Sequence, residues 1–168
     1  MYTKHLEHVD KLNKAMEHDG AFLVVQNEQG KANVMTIGWA TVGIIWGRPM
    51  ITVFVRPVRY TYEILEHSQS FTICVPSPGK LKEELAFCGA NSGRSIDKIG
   101  RCGFTMKKGQ TKNTVVIEEC KLFYECHIIE RNNIDPTTLD ASIVNNYYPK
   151  KDFHTVYYGE IRHSYMRK

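Results

Sequence analysis

The alternation of apolar and polar positions along the chain predicts mostly β-strands. Several short runs are rich in β-branched and aromatic residues, and Gly, Pro, Asn or Ser interrupts them. The later runs are longer and alternate between two faces. The predicted strands cover residues 21–26, 34–37, 50–55, 71–75, 115–118, 121–131 and 154–165. Because the connections have hairpin length, the pattern favours an antiparallel barrel with α decoration, mainly β in class.

A helical period marks three short segments between these strands. The first runs from Leu6 to Met16, the second from Thr61, its predicted N-cap, to about His67, and the third from Leu81 to Cys88. Residues 88–100 are small, polar and aperiodic, which predicts a surface loop. Residues 132–151 are also predicted to be a long irregular loop. No internal repeat or linker interrupts the pattern, so residues 1–168 are predicted to form a single domain.

Composition narrows the classes of function only slightly. The chain is 42% hydrophobic and 24% charged, which is ordinary for a globular protein. The net charge of +4 suits an anionic small ligand, but no block of like charge predicts nucleic-acid binding. No apolar run approaches the ~20 residues of a membrane helix, and the N-terminus lacks a signal-peptide core. A cytoplasmic protein without membrane partners is expected.

The cysteines predict neither a disulfide framework nor a metal site. There are five of them, an odd number, and no C-x-x-C pair occurs. Cys120, Cys126 and His127 lack the spacing of a zinc knuckle, and neighbouring strand residues point to opposite faces. Buried reduced thiols are the favoured interpretation.

Two arginines lie just ahead of the second predicted helix. Arg56 and Arg59 flank Pro57-Val58, between the strand at 50–55 and the predicted helix start at Thr61. Backbone N–H groups, the helix dipole and guanidinium groups together favour a phosphate at such a place. Ordinary surface charge is the alternative, but the position of the pair favours an anion anchor for a ligand-binding barrel.

Four segments resemble one known family when they are taken in order. They are Asn33–Trp39, Arg56–Thr61, Cys88–Lys98 and His154–Ile161. Together they resemble the flavin reductase-like family, which includes flavoredoxin and has the FMN-binding split-barrel fold. The resemblance implies a six-stranded split barrel, a homodimer and FMN bound near the subunit interface.

The resemblance also implies roles for individual residues. The first segment is expected beside the isoalloxazine ring, the second at the ribityl phosphate, and the third in a loop on the cofactor side. Lys98 is expected to stabilise negative charge on the ring, and His154 to lie on the nicotinamide side or to relay a proton. The expected cofactor-binding residues are Met35, Thr36, Ile37, Gly38, Trp39, Arg56, Arg59, Tyr60, Thr61, Cys88, Gly89, Ser92, Gly93, Arg94 and Lys98.

Structural interpretations stand beside several of these roles. Trp39 and a second tryptophan, Trp46, fit core aromatic residues as well as flavin contacts. Trp46 is a departure from the family pattern, and this sequence is expected to place it beside the site. His154 also fits a structural histidine. Cys88 fits a reactive thiol near Arg94 and Lys98, but buried packing is favoured.

The favoured function is an NAD(P)H-dependent flavin reductase that passes hydride from nicotinamide to FMN. One alternative is a flavoredoxin-like electron carrier whose partner is another redox protein. The other is a non-catalytic barrel that binds a phosphate ligand or nucleic acid through its mild positive charge. A shared aromatic surface is expected to make the protein a homodimer, with His154 and Tyr157 near the interface.

Overall fold

The computed structural model describes residues 2–167, within which the chain forms nine strands, five α-helices and a short 3₁₀ helix. Seven of these strands are the predicted ones, with ends that differ from the prediction by at most two residues. The elements are the 3₁₀ helix Tyr2–Leu6, α1 Val9–Glu17, β1 Ala21–Gln26, β2 Ala32–Ile37, β3 Ala40–Ile45, β4 Arg48–Val55, α2 Tyr60–Leu65, β5 Ser70–Val75, α3 Lys82–Ala90, α4 Lys98–Cys102, β6 Met106–Lys108, β7 Val115–Ile117, β8 Leu122–Asn133, α5 Ala141–Tyr147 and β9 Thr155–Met166.

Seven of the strands form one antiparallel sheet in the order β2-β1-β5-β8-β9-β4-β3, while β6 and β7 pair separately. The two edge strands, β2 and β3, are neighbours in sequence and are joined only by Gly38 and Trp39. Three Cα–Cα steps of about 3.8 Å separate the ends of these strands, so the sheet must curl until its edges lie within about 11 Å of each other.

The curled sheet does not close into a barrel, because no hydrogen-bonded ladder joins β2 to β3 in residues 2–167. The expected antiparallel, mainly β architecture is therefore confirmed, whereas the six-stranded split barrel is not. The main sheet has seven strands, one of which, β3, was not predicted.

Both faces of the sheet carry a hydrophobic core. In β1, Leu23 and Val25 pack into one cluster, while Phe22 and Val24 pack into a second cluster with α3 and β7. All four side chains are almost wholly buried. Since neither face of β1 is exposed to solvent, this strand is a continuous apolar run instead of an alternating one.

The helices depart from the predictions at their ends. The first predicted helix is divided at His8, whose φ of 70° places it in the left-handed region between the 3₁₀ helix and α1. The second begins at Tyr60 with Arg59 as its N-cap, so Thr61 is not the cap. Thr61 is buried, and its hydroxyl accepts a 2.8 Å hydrogen bond from Asn33 Nδ2.

The two predicted loops contain helices. Cys88 and Gly89 lie in the last turn of α3, and α4 begins at Lys98, where the Asp97 carboxylate accepts a hydrogen bond from Gly100 N. In the second loop, α5 follows Asp140, which caps it in the same way through Ser142 N. Short polar helices of this kind have too few apolar positions to show a period.

No helix in the described part of the chain is long and apolar enough to span a membrane.

Candidate functional site

The pairing of β4 with β9 joins two distant segments of the sequence. The two strands are antiparallel, with Val55 opposite Thr155. Arg56 continues directly from β4, and His154 directly precedes β9, so the register makes these two residues neighbours. The junction between β2 and β3 reaches the same end of the sheet.

A cavity of about 150 Å³ lies where these three segments meet, and we name it the His154 cavity. Nearly all of its lining comes from segments that the motifs had singled out. The lining residues are Met35, Thr36, Ile37, Gly38, Trp39, Phe54, Arg56, Arg59 and His154. The motifs did not include Phe54.

His154 is held in a fixed, uncharged state beside the cavity. Only 9% of its surface is exposed, and its Nδ1 shares a 2.7 Å hydrogen bond with the Tyr148 hydroxyl. The Trp39 ring lies 4.8 Å from the imidazole, centroid to centroid. Burial, followed by the positive charge of Arg56, lowers the pKa of His154 to about 4. The imidazole is therefore neutral near pH 7.

Arg56 is already engaged by the segment that carries His154. Its Nη1 lies 2.6 Å from Asp152 Oδ1, and its Nη2 donates a 2.8 Å hydrogen bond to the Tyr147 carbonyl. The guanidinium also lies over the Tyr148 ring, 5.1 Å from its centroid. Arg56 therefore holds the end of α5 and the chain before β9 against β4.

Arg59 is the more available of the two cations. Its side chain is exposed, and its Nη1 donates a 3.1 Å hydrogen bond to the Gly89 carbonyl. The other guanidinium N–H groups have no hydrogen-bond partner within residues 2–167. Arg59 thus links the His154 cavity to the end of α3 while keeping donors for a ligand.

A second cavity, of about 190 Å³, lies farther back along β2, and we name it the Gly93 cavity. Of the predicted site residues, it is lined by Tyr60, Gly93, Arg94 and Lys98. Its lining residues are Asn27, Lys31, Ala32, Asn33, Val34, Tyr60, Ile64, Gly93, Arg94, Ser95, Ile96, Asp97, Lys98 and Ile99.

The close approach of Gly93 to its neighbours requires glycine. A Cβ at this position would lie 2.0 Å from Asn33 Oδ1 and 3.1 Å from the Tyr60 ring. Next to it, Arg94 forms an ion pair with Glu63, and its guanidinium lies 5.6 Å from the centroid of the Tyr60 ring. The loop after α3 is therefore packed against β2 and α2.

Lys98 is a buried cation in the Gly93 cavity, with only 5% of its surface exposed. Its ammonium donates 3.2 Å hydrogen bonds to the carbonyls of Cys88 and Asn91. Burial is the main cause that lowers its pKa, and the positive charge of Arg59 acts in the same direction. Lys98 and His154, the two predicted catalytic residues, thus line different cavities.

Several predicted residues line neither cavity. Thr61 is bonded to Asn33, Ser92 is an exposed loop residue, and Cys88 is packed in the core. Gly89 faces Thr36, and a Cβ on it would lie 3.5 Å from the Thr36 Cβ. Trp46 is 61% exposed at the tip of the β3–β4 hairpin, and its ring is 6.2 Å from that of Tyr158. The expectation of a second tryptophan beside the cavity is therefore wrong.

Comparison with known proteins identifies the family of this chain. The family model described as "Flavin reductase like domain" matches residues 16–168. The chain belongs to the flavin reductase-like family.

This flavin reductase-like protein is similar to proteins from archaea and bacteria. An uncharacterised protein of Pyrococcus abyssi is 28% identical over 131 residues, which are 78% of this chain and 74% of that protein. Flavoredoxin from Methanosarcina acetivorans is 28% identical, with a TM-score of 0.67 over 89% of this chain and 69% of that one. Flavoredoxin of Desulfovibrio vulgaris (Miyazaki F) shares the fold, with 22% identity and a TM-score of 0.69 over 88% of this chain and 69% of its own.

The candidate site also contains residues that sequence reasoning missed. Tyr148 and Asp152 contact His154 and Arg56, and the Tyr147 ring lies 5.3 Å from that of Trp39. Tyr147 and Tyr148 lie in the segment predicted to be irregular, and Asp152 directly follows it; no period or motif indicates a role for them at the cavity. Among residues 2–167, no three His, Cys, Asp or Glu side chains are grouped as ligands for a metal ion.

Proposed function

We propose that the protein is an FMN-dependent oxidoreductase that accepts hydride from NADH or NADPH. The observation that carries this proposal is the His154 cavity. Residues 35–39, Arg56, Arg59 and His154 are far apart in sequence but line one cavity. If each of these residues had only a structural role, there would be no reason for all of them to line the same cavity.

The residues of this cavity fit a flavin. A site for a flat ring needs an apolar wall and a few fixed polar groups. Met35, Ile37, Trp39 and Phe54 supply the wall, and the backbone from Thr36 to Trp39 supplies polar groups. Arg59, with donors left over, is the residue that would hold the phosphate. The arginine is the anchor here because α2 has only six residues and its N-cap makes no side-chain hydrogen bond.

When it is bound, the flavin would supply the hydride chemistry, so the protein needs to contribute binding and electrostatics. His154 is neutral near pH 7 and would act by hydrogen bonding rather than as a cation. Arg59 and the buried Lys98, both hydrogen-bonded to the end of α3, would supply positive potential on that side. Trp39 and Phe54 would keep water from the ring.

A homodimer is part of this proposal because one chain offers too little enclosure. Pockets that enclose a drug-sized ligand usually have a volume of ~300–1,000 Å³, well above that of the His154 cavity. Trp39 and Tyr147, at the cavity, and Ile44 and Trp46, on the nearby hairpin, are large exposed apolar side chains. A second copy of the chain that covered them would also roof the cavity. Tyr157, by contrast, is wholly buried within its own chain and offers no surface to a partner.

Two titrations test the proposal. FMN and riboflavin are first titrated by flavin fluorescence, and FMN is expected to bind at least tenfold more tightly because of its phosphate. NADH and NADPH are then added to the FMN complex without oxygen, and at least one is expected to bleach the flavin absorbance. Failure to bind FMN would contradict the proposal. Equal affinity for FMN and riboflavin would show that no residue of the site holds the phosphate.

The similarity to flavoredoxin from Methanosarcina acetivorans favours a second candidate, an FMN-bearing electron carrier. The same bleaching experiment separates the two functions. A carrier would hold FMN but stay oxidised with both nicotinamide nucleotides, and would be reduced by a low-potential redox protein or by dithionite.

A further inference from the structure

Two cysteines from different helices lie side by side behind the candidate site. The Sγ atoms of Cys88, in the last turn of α3, and Cys102, the last residue of α4, are 3.8 Å apart. Cys88 is 1% exposed, whereas Cys102 is partly exposed. Within residues 2–167, no other two thiols are hydrogen-bonded to each other. Cys74, Cys120 and Cys126 are buried.

The thiol pair is connected to two cations that line the candidate cavities, Lys98 and Arg59. The carbonyl of Cys88 accepts a hydrogen bond from Lys98, and the carbonyl of the next residue, Gly89, accepts one from Arg59. The chain between the two cysteines contains the loop that lines the Gly93 cavity. A covalent link between the two sulfur atoms would therefore close this loop.

We propose that Cys88 and Cys102 form a reversible disulfide that fixes the loop between α3 and α4. The sulfur atoms of a disulfide are about 2.05 Å apart, so the two side chains need to approach by less than about 2 Å. Rotation of the side chains and a small shift of the short helix α4 can supply this distance. Cys102 reacts first because it is the partly exposed thiol.

The oxidant is a low-molecular-weight disulfide, and the exchange balances in two steps. The Cys102 thiol loses its proton to solvent, and its thiolate attacks one sulfur of the small disulfide, which releases one small thiolate. The Cys88 thiolate then attacks the Cys102 sulfur and releases the second small thiolate. Each departing thiolate takes up a proton, so the protein loses two electrons and two protons while one small disulfide becomes two thiols.

Burial sets the pH at which this exchange runs. It raises the pKa of Cys102 and raises the pKa of Cys88 to about 12. Since the attacking species is the thiolate, the rate at neutral pH is low and rises as the pH is raised. The pair therefore responds to sustained oxidising conditions rather than to a brief pulse.

The disulfide also changes ligand release, and this part of the inference rests on the proposed function. Closing the loop fixes the carbonyls that hold Lys98 and Arg59, so the site is more ordered before the ligand binds. FMN is expected to leave the oxidised protein about threefold more slowly than the reduced protein.

Peptide mapping of the protein treated with oxidised glutathione tests the disulfide directly. The expected result is a mass loss of two hydrogens, one cross-linked peptide pair that contains Cys88 and Cys102, and reversal by dithiothreitol. Cys102→Ser should abolish the cross-link, while Cys120→Ser, a matched change in the same apolar cluster, should keep it. Absence of this cross-link in the wild-type protein, or random pairing among the five cysteines, would overturn the proposal.

The effect of the disulfide on FMN release is measured in a separate experiment, with protein whose disulfide has already been mapped. Slower FMN release from the oxidised form, measured by transfer to an excess of apoflavodoxin, supports the coupling to the site. Equal release rates overturn that coupling but leave the mapped disulfide standing. A protein that binds no flavin fails the proposed function, while the peptide map still decides the disulfide.

Discussion

His154 has a charge that is set by its neighbours. The imidazole shares a hydrogen bond with Tyr148, stands beside the Trp39 ring and lies near Arg56, which is paired with Asp152. Burial and Arg56 lower its pKa from 6.5 to about 4, and the carboxylate of Asp152 opposes the shift only in part. At neutral pH, the positive charge in the His154 cavity therefore comes from Arg56 and Arg59, and His154 carries none.

The lowered pKa of His154 predicts a pH-dependent stability. The unfolded chain binds a proton at this residue below about pH 6.5 while the folded chain does not, so folding becomes less favourable as the pH falls from 6.5 towards 4. The loss has an upper limit of about 3 kcal/mol. Urea unfolding between pH 4 and 7.5 measures it, and His154→Gln should flatten the profile. An unchanged slope in the variant would assign the pH dependence to other groups.

Replacement of Arg56 and of Arg59 by alanine is expected to have different effects on stability, although both arginines belong to the same motif. Arg59→Ala should weaken FMN binding about tenfold or more without changing the melting temperature, because Arg59 is exposed. Arg56→Ala should lower the melting temperature as well, because it leaves Asp152 and the Tyr147 carbonyl without their partner. Fluorescence titration and thermal melts of both variants measure this difference.

The riboflavin affinity of the same two variants is the control. Loss of a phosphate contact in Arg59→Ala should leave riboflavin binding unchanged. If both variants melt alike and bind FMN as the wild type does, the anchor lies in the loop of Arg94 and Lys98 instead.

The sequence was informative about individual residues where a motif contained them. It selected most of the lining of the His154 cavity, but it did not separate the engaged Arg56 from the exposed Arg59. The partners of Arg56, Tyr147 and Asp152, come from a part of the chain without periodicity, and a long-range contact leaves no local pattern in the sequence. Trp46 does not line the cavity, although it follows Trp39 closely in sequence, because it lies at the exposed tip of the β3–β4 hairpin.

At the scale of the elements, strands were predicted better than helices. Strands with two buried faces, such as β1 and β5, are rich in apolar and β-branched residues, which the sequence pattern reports directly. The edge strand β3 was missed because it contains Gly43 and is joined to β4 by a two-residue turn, Trp46-Gly47. Both turn residues have positive φ, 52° and 67°, as a type I′ hairpin requires. Tryptophan rarely adopts a positive φ, so the sequence lacks the usual Asn-Gly or Asp-Gly signal for this turn.

Gly159, in β9, packs so closely against side chains of β5 and β8 that it leaves no room for a side chain of its own. A Cβ on this residue would lie 2.5 Å from Phe71 Cζ and 2.8 Å from the Cys126 Cβ. Gly159→Ala is therefore expected to lower the free energy of unfolding by about 1–3 kcal/mol through overpacking. Denaturant unfolding measures the loss.

Gly43→Ala is the matched control, since no heavy atom lies within 4 Å of its missing Cβ. It should change the free energy of unfolding by no more than about 0.5 kcal/mol. Equal losses in the two variants would point to strand propensity, and not to packing, as the cause.

At the scale of the whole molecule, the exposed apolar side chains of the β3–β4 hairpin predict self-association. We expect sedimentation equilibrium at micromolar concentration to give twice the chain mass. Ile44→Lys should shift the protein towards monomer, because it places a charge among exposed apolar residues. If the sites are shared between copies, FMN binding should weaken in parallel.

Gln29→Lys, in the exposed turn between β1 and β2, adds the same charge on another surface and serves as the control. It should remain dimeric. A wild-type monomer that binds FMN tightly would show that one chain covers the ring alone.

The order of four motifs was enough to predict the family, but it was not enough to predict whether the sheet closes into a barrel. Sequence patterns report which residues are buried, and both faces of a curled open sheet are as apolar as those of a closed barrel. The difference lies in whether β2 and β3 pair, and this depends on the few residues at 38–39 and on the twist of the strands between them.

The central position of β9 in the sheet has a consequence for the order of folding. β9 separates β8 from β4, so the β3–β4 hairpin joins the rest of the sheet only through a strand that comes much later in the chain. A two-stranded hairpin is marginally stable by itself, and such long-range pairing folds slowly. During synthesis, the β3–β4 hairpin, with its exposed Trp46, therefore cannot join the sheet until β9 has been made. The His154 cavity, which needs both, is expected to be among the last parts of the molecule to form.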